Sequence, residues 1–144
     1  MFVMRLDATG AVQWAISGFD TSASNSRSGG HAIASDGAGG VFVAGAFFLG
    51  SQPGNTATFG STTLTSSGES DWVIMRVSGL GDIEWAIGGG GPGSDAPVSI
   101  AFDPASKGAL VTGHFGGSIT FGSTTLHAHV AGLHTLVLLS RIHI

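Results

Sequence analysis

The strongest constraint on this chain is that it repeats itself. The stretch DWVIMRVSGLGDIEWAIG (71–88) echoes FVMRLDATGAVQWAISG (2–18). At an offset of 71 residues, Met4, Arg5, Gly10, Trp14, Ala15 and Ile16 recur as Met75, Arg76, Gly81, Trp85, Ala86 and Ile87. The seven residues TFGSTTL occur twice unchanged, at 58–64 and 120–126. A third correspondence pairs Ile33 with Ile100, Ala34 with Ala101, Asp36 with Asp103, Val43 with Val111, Gly45 with Gly113 and Phe47 with Phe115. Such a chain reuses one supersecondary unit, and each unit buries its apolar face against a neighbour. The offset falls to 62 for TFGSTTL, a difference absorbed in loops, where insertions are tolerated.

Inside the unit the period is that of strands. Phe2, Met4 and Leu6 share one face and Val3 and Arg5 the other. Asp7-Ala8-Thr9-Gly10 is a turn, and Val12, Trp14 and Ile16 form one face of a second strand, which predicts a hairpin. Residues 72–77 and 82–87 repeat it. HAIAS (31–35), the loop DGAGG (36–40) and the apolar VFVAGAFF (41–48) predict a second hairpin, with Gly45 marking a bend or a close backbone approach. Residues 49–71 read as an inserted excursion in which TATFGSTTLTSSG is a strand kinked at Gly60. Residues 17–30 read as a polar loop and GGGGPG (88–93) as a flexible one. After Leu126 the pattern fails. The Asp-Trp entry is missing, four of six histidines crowd the tail, and only 136–142 keep a strand-like run, with Arg141 in the place of Arg76. This break, and a start already in strand pattern at Phe2, predict a fragment or a truncated reading frame.

Composition supports an all-β, turn-rich chain: 25 glycines, 42% hydrophobic and only 10% charged residues. Disordered chains combine low hydrophobicity with high charge, the reverse of this. With a net charge of −4 and five lysines and arginines in all, no basic patch exists to neutralise phosphates, so neither nucleic acid nor an anionic membrane is an expected partner. The absence of cysteine removes disulfides, thiolate metal sites and cysteine nucleophiles. No apolar run reaches the roughly 18 residues of a spanning helix, and the first residues lack the basic and apolar regions of a signal peptide.

The segments AIASDGAGGVFVAGAF, DWVIMRVSGLGDIEWAIGG and SIAFDPASKGALVTGHF together resemble the bacterial seven-bladed β-propeller repeat (SBBP) family over most of residues 2–126. The resemblance implies antiparallel four-stranded blades of an incomplete β-propeller. On it, residues 1–18 are the outer half of a blade and 31–88 a complete blade with an inserted loop at 49–71. Residues 97–142 are a second, incomplete blade with an atypical tail from 127. It further implies a non-enzymatic structural or protein-interaction segment of a larger secreted or surface protein, whose partners are other blades or further copies. A carbohydrate- or ligand-binding surface is the first alternative. A propeller-type lyase or glycosidase, its site in other blades, is the second.

The residues themselves offer little chemistry, and no cofactor is expected. Gly88, Gly90 and Gly93 fit GxGxxG, but Pro92 and Pro97 lead into a strand where a dinucleotide site needs a helix. His127, His129 and His134 have a spacing zinc accepts, yet they sit where the repeat collapses and read as an accidental cluster. Asp36 and Asp103 read as turn caps, without the flanking carboxylates of a calcium loop. Glu69 and Asp71 could act as an acid–base pair on sugars, but read as solvated loop residues. No GxSxG elbow occurs. Trp14 and Trp85 recur and read as packing residues. Arg5 and Arg76 read as solvated or hydrogen-bonded. Trp72 alone lacks a counterpart and is the one candidate ligand-binding residue, as an exposed aromatic.

Overall fold

Apolar runs punctuated by glycine turns become thirteen strands in a computed structural model, which describes residues 1–18, 21, 25–50, 53–128 and, by backbone alone, 133–138. They are β1 (Phe2–Leu6), β2 (Val12–Ser17), β3 (Arg27–Ser35), β4 (Val41–Phe48), β5 (Thr56–Phe59), β6 (Thr62–Thr65), β7 (Asp71–Val77), β8 (Ile83–Gly89), β9 (Ala96–Asp103), β10 (Gly108–Gly116), β11 (Ser118–Phe121), β12 (Thr124–His127) and β13 (Leu133–Leu138). The fold is all-β, with antiparallel sheets and no helix among the described residues. A four-stranded sheet runs β3-β4-β7-β8, a three-stranded one β13-β10-β9, and β1-β2, β5-β6 and β11-β12 are separate hairpins.

The nearly continuous apolar sequence of β7 follows from its position. Val73, Met75 and Val77 on one face and Trp72 and Ile74 on the other are all buried, as expected of a central strand covered on both sides. On the first face Val43, Val73 and Met75 join Val3 of β1 and Phe59 of β5, with Trp14 and Ile16 packed against them. On the second, Phe42, Ala44, Trp72 and Ile74 join Ile100, Phe115 and Ile119 of the following strands. The four-stranded sheet is therefore sandwiched between the β1–β2 hairpin and the β9–β10 sheet.

The sequence repeat is a structural repeat in the same register. Val3 faces Ile16 and Arg5 faces Trp14, as Ile74 faces Ile87 and Arg76 faces Trp85. Both ladders shift register at the same step, between Arg5 and Leu6 and between Arg76 and Val77. Their turns agree too. The Gly10 N–H donates to Asp7 O at 3.0 Å and the Gly81 N–H to Ser78 O at 3.1 Å. Asp7 Oδ1 accepts the N–H groups of Thr9 and Ala11, and Ser78 Oγ those of Leu80 and Asp82. Both glycines are left-handed, at φ 86° and 95°, where a side chain is strained. Gly10→Ala meets open space and is expected to cost about 1 kcal/mol. Gly81→Ala adds a Cβ only 3.0 Å from Trp14 Cγ and Cδ2 and should cost more. Urea melts of the two variants check the order.

The β3–β4 turn is held by Asp36. Its Oδ1 accepts the N–H groups of Ala38 and Gly40 at 2.8 and 2.9 Å, and its Oδ2 pairs with Arg76 Nη2 at 2.6 Å. Arg76 also pairs with Glu84. Burial of Asp36 works against its charge, but the Ala38 N–H, the Arg76 guanidinium and the Gly40 N–H outweigh it and hold the carboxyl below the usual range.

Two local expectations are corrected. TATFGSTTLTSSG is not one kinked strand but the hairpin β5–β6, with Phe59 facing Thr62 across Gly60-Ser61. Gly60, at φ 59°, reverses the chain as the first central residue of a primed-type turn does. The second TFGSTTL folds alike, with Gly122 at φ 58°. The loop expected to last until Gly30 instead enters β3 at Arg27, because Ser28 to Gly30 pair through their backbones with Phe47 to Gly45. A Cβ on Gly45 would collide with Gly29 O, which is the close approach its sequence context predicts. In the tail, β13 lines the β10 edge with Val111 opposite Leu138 and Gly113 opposite Leu136, matching Val43 opposite Met75 and Gly45 opposite Val73. The C-terminal part of the 136–142 strand, and Arg141 with it, lies outside the described residues.

Candidate functional site at the junction of the repeats

Two turns with the same ending, Ser70-Asp71 and Ser94-Asp95, lie side by side where one repeat meets the next. The Asp95 N–H donates to Ser70 O at 2.8 Å, and Ser70 and Ser94 form an isolated parallel bridge. Each aspartate then folds back on its own turn. Asp71 Oδ2 accepts the Ser67 N–H at 3.0 Å. Asp95 Oδ2 accepts the Gly91 N–H at 2.6 Å, and its Oδ1 reaches across to the Gly116 N–H at 3.0 Å. Both side chains are 0% exposed.

The glycines of 88–93 make this approach possible. Gly88 and Gly89 belong to β8, and Gly90 and Gly91 are buried. A Cβ on Gly91 would fall well under 3.0 Å from Ser118 O, one on Gly68 would strike Gly91 O, and one on Gly93 would strike Gly116 O. The expected flexible loop is thus a close-packed backbone junction, and the strand β9 follows it. The glycines serve close approach rather than mobility.

At Gly90 the two carboxyls meet. A Cβ there would lie closer than 3.0 Å to both Asp71 Oδ1 and Asp95 Oδ2. Asp71 Oδ1 is buried with no hydrogen-bond partner. Burial pushes the Asp71 carboxyl up, against the opposing pull of Ser67, Ser66 and Gly68. Burial also pushes Asp95 up, and the neighbouring Asp71 charge adds to it, against the Gly116 and Gly91 N–H groups and His114. Burial thus favours the protonated form of Asp71, and burial together with the neighbouring charge that of Asp95. Of the two carboxylates read as solvated loop residues, Glu69 is exposed but Asp71 is sealed. The sequence reading overlooked Asp95, whose only signal was the repeated Ser-Asp before a strand.

Trp72 is 7% exposed, so the expectation of an exposed aromatic is overturned. It sits on the central strand β7, where both faces are covered. Its ring lies 5.1 Å from that of Phe121, tilted by 32°. It borders an apolar groove of about 480 Å³ between the repeats, together with Ile74, Ile87, Val111, Phe115 and Ile119. Its Nε1 is buried and unpartnered. Trp72→Phe removes that orphan donor at the cost of some ring volume, and is expected to leave stability within about 1 kcal/mol of the parent; thermal denaturation measures this.

The other candidates fall into place around the packing. Trp14 and Trp85 are half-buried packing residues: the Trp14 Nε1–H donates to Gly79 O at 2.9 Å, and the Trp85 ring lies 5.9 Å from Phe42. Arg5 donates to Gly79 O at 3.1 Å. Asp103 caps its turn through the Ala105 N–H and the Ser106 hydroxyl. His127 is exposed, His134 is described by backbone alone and His129 lies outside the described residues. Among the described residues no three His, Cys, Asp or Glu side chains converge to hold a metal. No protein-family model, no curated protein and no solved structure matches this chain.

Proposed function

We propose that the chain is a non-enzymatic structural or protein-interaction segment built of β-propeller repeats, in keeping with its resemblance to the SBBP pattern. One observation carries this reading. Each repeat covers its apolar sheet with the hairpin of the repeat before it, as β1–β2 covers β4 and β7. The outward face of that first hairpin still presents Phe2, Met4 and Leu6, which are 71, 46 and 47% exposed. A unit built to be covered by its neighbour is an assembly unit. The sealed aspartate pair is structural on this reading, since substrate does not reach a side chain with no exposed surface. Light scattering over a range of concentrations, with an apolar dye as reporter, tests it. Association that lowers dye fluorescence is expected; a concentration-independent monomer that binds no dye contradicts it. The Trp72–Phe121 groove favours a second reading, a ligand- or carbohydrate-binding surface. A glycan array that gives equal signals for the parent and Trp72→Phe, or none, counts against it.

A further inference from the structure

The two turns that meet at the junction of the repeats are packed almost without apolar side chains. Residues 66–71 read SSGESD and residues 90–95 read GGPGSD. Neither segment contributes to a hydrophobic core, and Pro92 is exposed. Main-chain contacts and one carboxyl hold the second turn in place. The Asp95 N–H donates to Ser70 O at 2.8 Å and the Thr120 N–H to Gly90 O at 3.3 Å. Asp95 itself accepts the Gly91 and Gly116 N–H groups at 2.6 and 3.0 Å. The flanking strands are anchored differently, β7 by Trp72 and Ile74 and β9 by Ile100, all in the second core. A segment that buries no apolar side chain opens at a lower free energy than the sheets beside it.

Into this seam the chain places two carboxyls with no exposed surface. They meet at Gly90, where a Cβ would lie closer than 3.0 Å to both Asp71 Oδ1 and Asp95 Oδ2. Asp71 Oδ1 has no hydrogen-bond partner, so no donor meets a charge on it. The surrounding elements offer little compensation. His114 of β10 favours the charged form of Asp95. Glu69 on the first turn is exposed and has the sign of the pair. Arg76 of β7 and Glu84 of β8 engage each other. His31 of β3 bonds to Pro97 O through Nδ1. β9 carries Asp103 at its far end, and β11 and β12 bring only His127, which is exposed. Burial raises both carboxyls, and the Asp71 charge raises Asp95 further.

We infer that the two turns form a pH-operated latch between the repeats, closed while Asp71 and Asp95 are neutral and released when they ionise. A charge in this seam is stabilised by reaching water, and the 90–95 turn is the element with least to hold it. When it lifts, the Gly116 N–H loses its acceptor and the Thr120 N–H loses Gly90 O, so β10 and β11 are freed at this end. The sheets stay whole, because Phe42, Ala44 and Ile74 still share one core with Ile100 and Phe115. The opening is local: the units remain joined, but the glycines no longer fix their contact. Trp72 registers the change, since it follows Asp71 and its ring lies 5.1 Å from that of Phe121 in β11. The latch is internal to the chain and does not depend on the interaction reading above.

Hydrogen exchange of the full-length chain, followed by mass spectrometry from pH 4 to 9 and corrected for the intrinsic pH dependence of amide exchange, tests this. Protection of residues 66–71 and 90–95 is expected to fall about tenfold or more as pH rises, while that of β4 changes by less than about twofold. Emission from Trp72, taken as the difference between the parent and Trp72→Phe, should shift to the red over the same range. In Asp71→Asn, which keeps an oxygen for the Ser67 N–H, the turns should stay protected throughout. Turns and β4 that lose protection together would mean global unfolding and would overturn the latch. Turns whose protection does not change with pH would overturn it too, as would turns that still open in Asp71→Asn. The comparison of the turns with β4 in the parent decides by itself if that variant does not fold.

Discussion

A single methyl group at Gly91 is expected to unfold the junction between the repeats. The Cβ of Gly91→Ala would overlap Ser118 O, a backbone atom at the start of β11. No rotamer change relieves a clash between two main chains, so the 90–95 turn must shift. That shift stretches the 2.6 Å bond from the Gly91 N–H to Asp95 and leaves a buried carboxylate under-satisfied. Overpacking and the lost hydrogen bond together cost about 3 kcal/mol or more, a large part of the roughly 5–15 kcal/mol that holds a domain folded. Urea denaturation and near-ultraviolet circular dichroism measure it. Gly117→Ala is the control. That residue is left-handed at φ 76° with open space around it, and about 1 kcal/mol is expected. Equal losses for the two variants would mean that the junction is not tightly packed.

Asp71→Asn should stabilise the chain at neutral pH, and Asp95→Asn should not. The Asp71 and Asp95 carboxyls are both raised in the folded state. Between the ordinary carboxylate value of about 3.9 and the raised values of the pair, the folded chain binds more protons than the unfolded one. Stability therefore falls as pH rises through that window and levels off above it. Asp7 and Asp36 act in the opposite sense. Their carboxyls are lowered, Asp7 chiefly by the Thr9 hydroxyl and the Ala11 N–H. The stability they contribute is present above about 3.9 and lost as pH falls through their lowered values. Asparagine at position 71 keeps an oxygen for the Ser67 N–H and places an N–H₂ toward Asp95. It removes the charge that burial opposes at position 71 and that pushes Asp95 up. A gain of about 1–3 kcal/mol at pH 7, the usual penalty of an unsatisfied buried group, and a flattened pH profile above 4 are expected. At position 95 both oxygens already accept N–H groups, from Gly91 and Gly116. An amide there turns a donor against a donor and destabilises. Thermal melts of the two variants from pH 3 to 9 measure both effects. Stabilisation by neither, or by both, would contradict the difference between the unpartnered Asp71 oxygen and the two bonded oxygens of Asp95.

What could be read beforehand was local. Alternation in FVMRL and VQWAIS, with a turn between, is enough to place β1 and β2, and the repeat carries that assignment to β7 and β8. Turn caps such as Asp36 declare themselves by the glycines that follow. Reading failed where the answer lay in a distant segment. Trp72 alternates like a surface residue of a strand, but β11 lies across it. Asp71 sits on a Ser/Gly stretch that looks solvated, and only the 90–95 turn, some twenty residues on, seals it. Gly60 was ambiguous for another reason. Glycine permits both a kink and a reversal, and the pairing of Phe59 with Thr62 decides between them.

Four glycines in succession are ordinarily the most pliable place in a chain. From Gly88 to Gly91 they act as a rivet. At Gly89 and Gly91 the main chain of one unit comes against that of the next, at Thr120 O and Ser118 O, so at this end of the junction the spacing is held by atoms that no rotamer change can move.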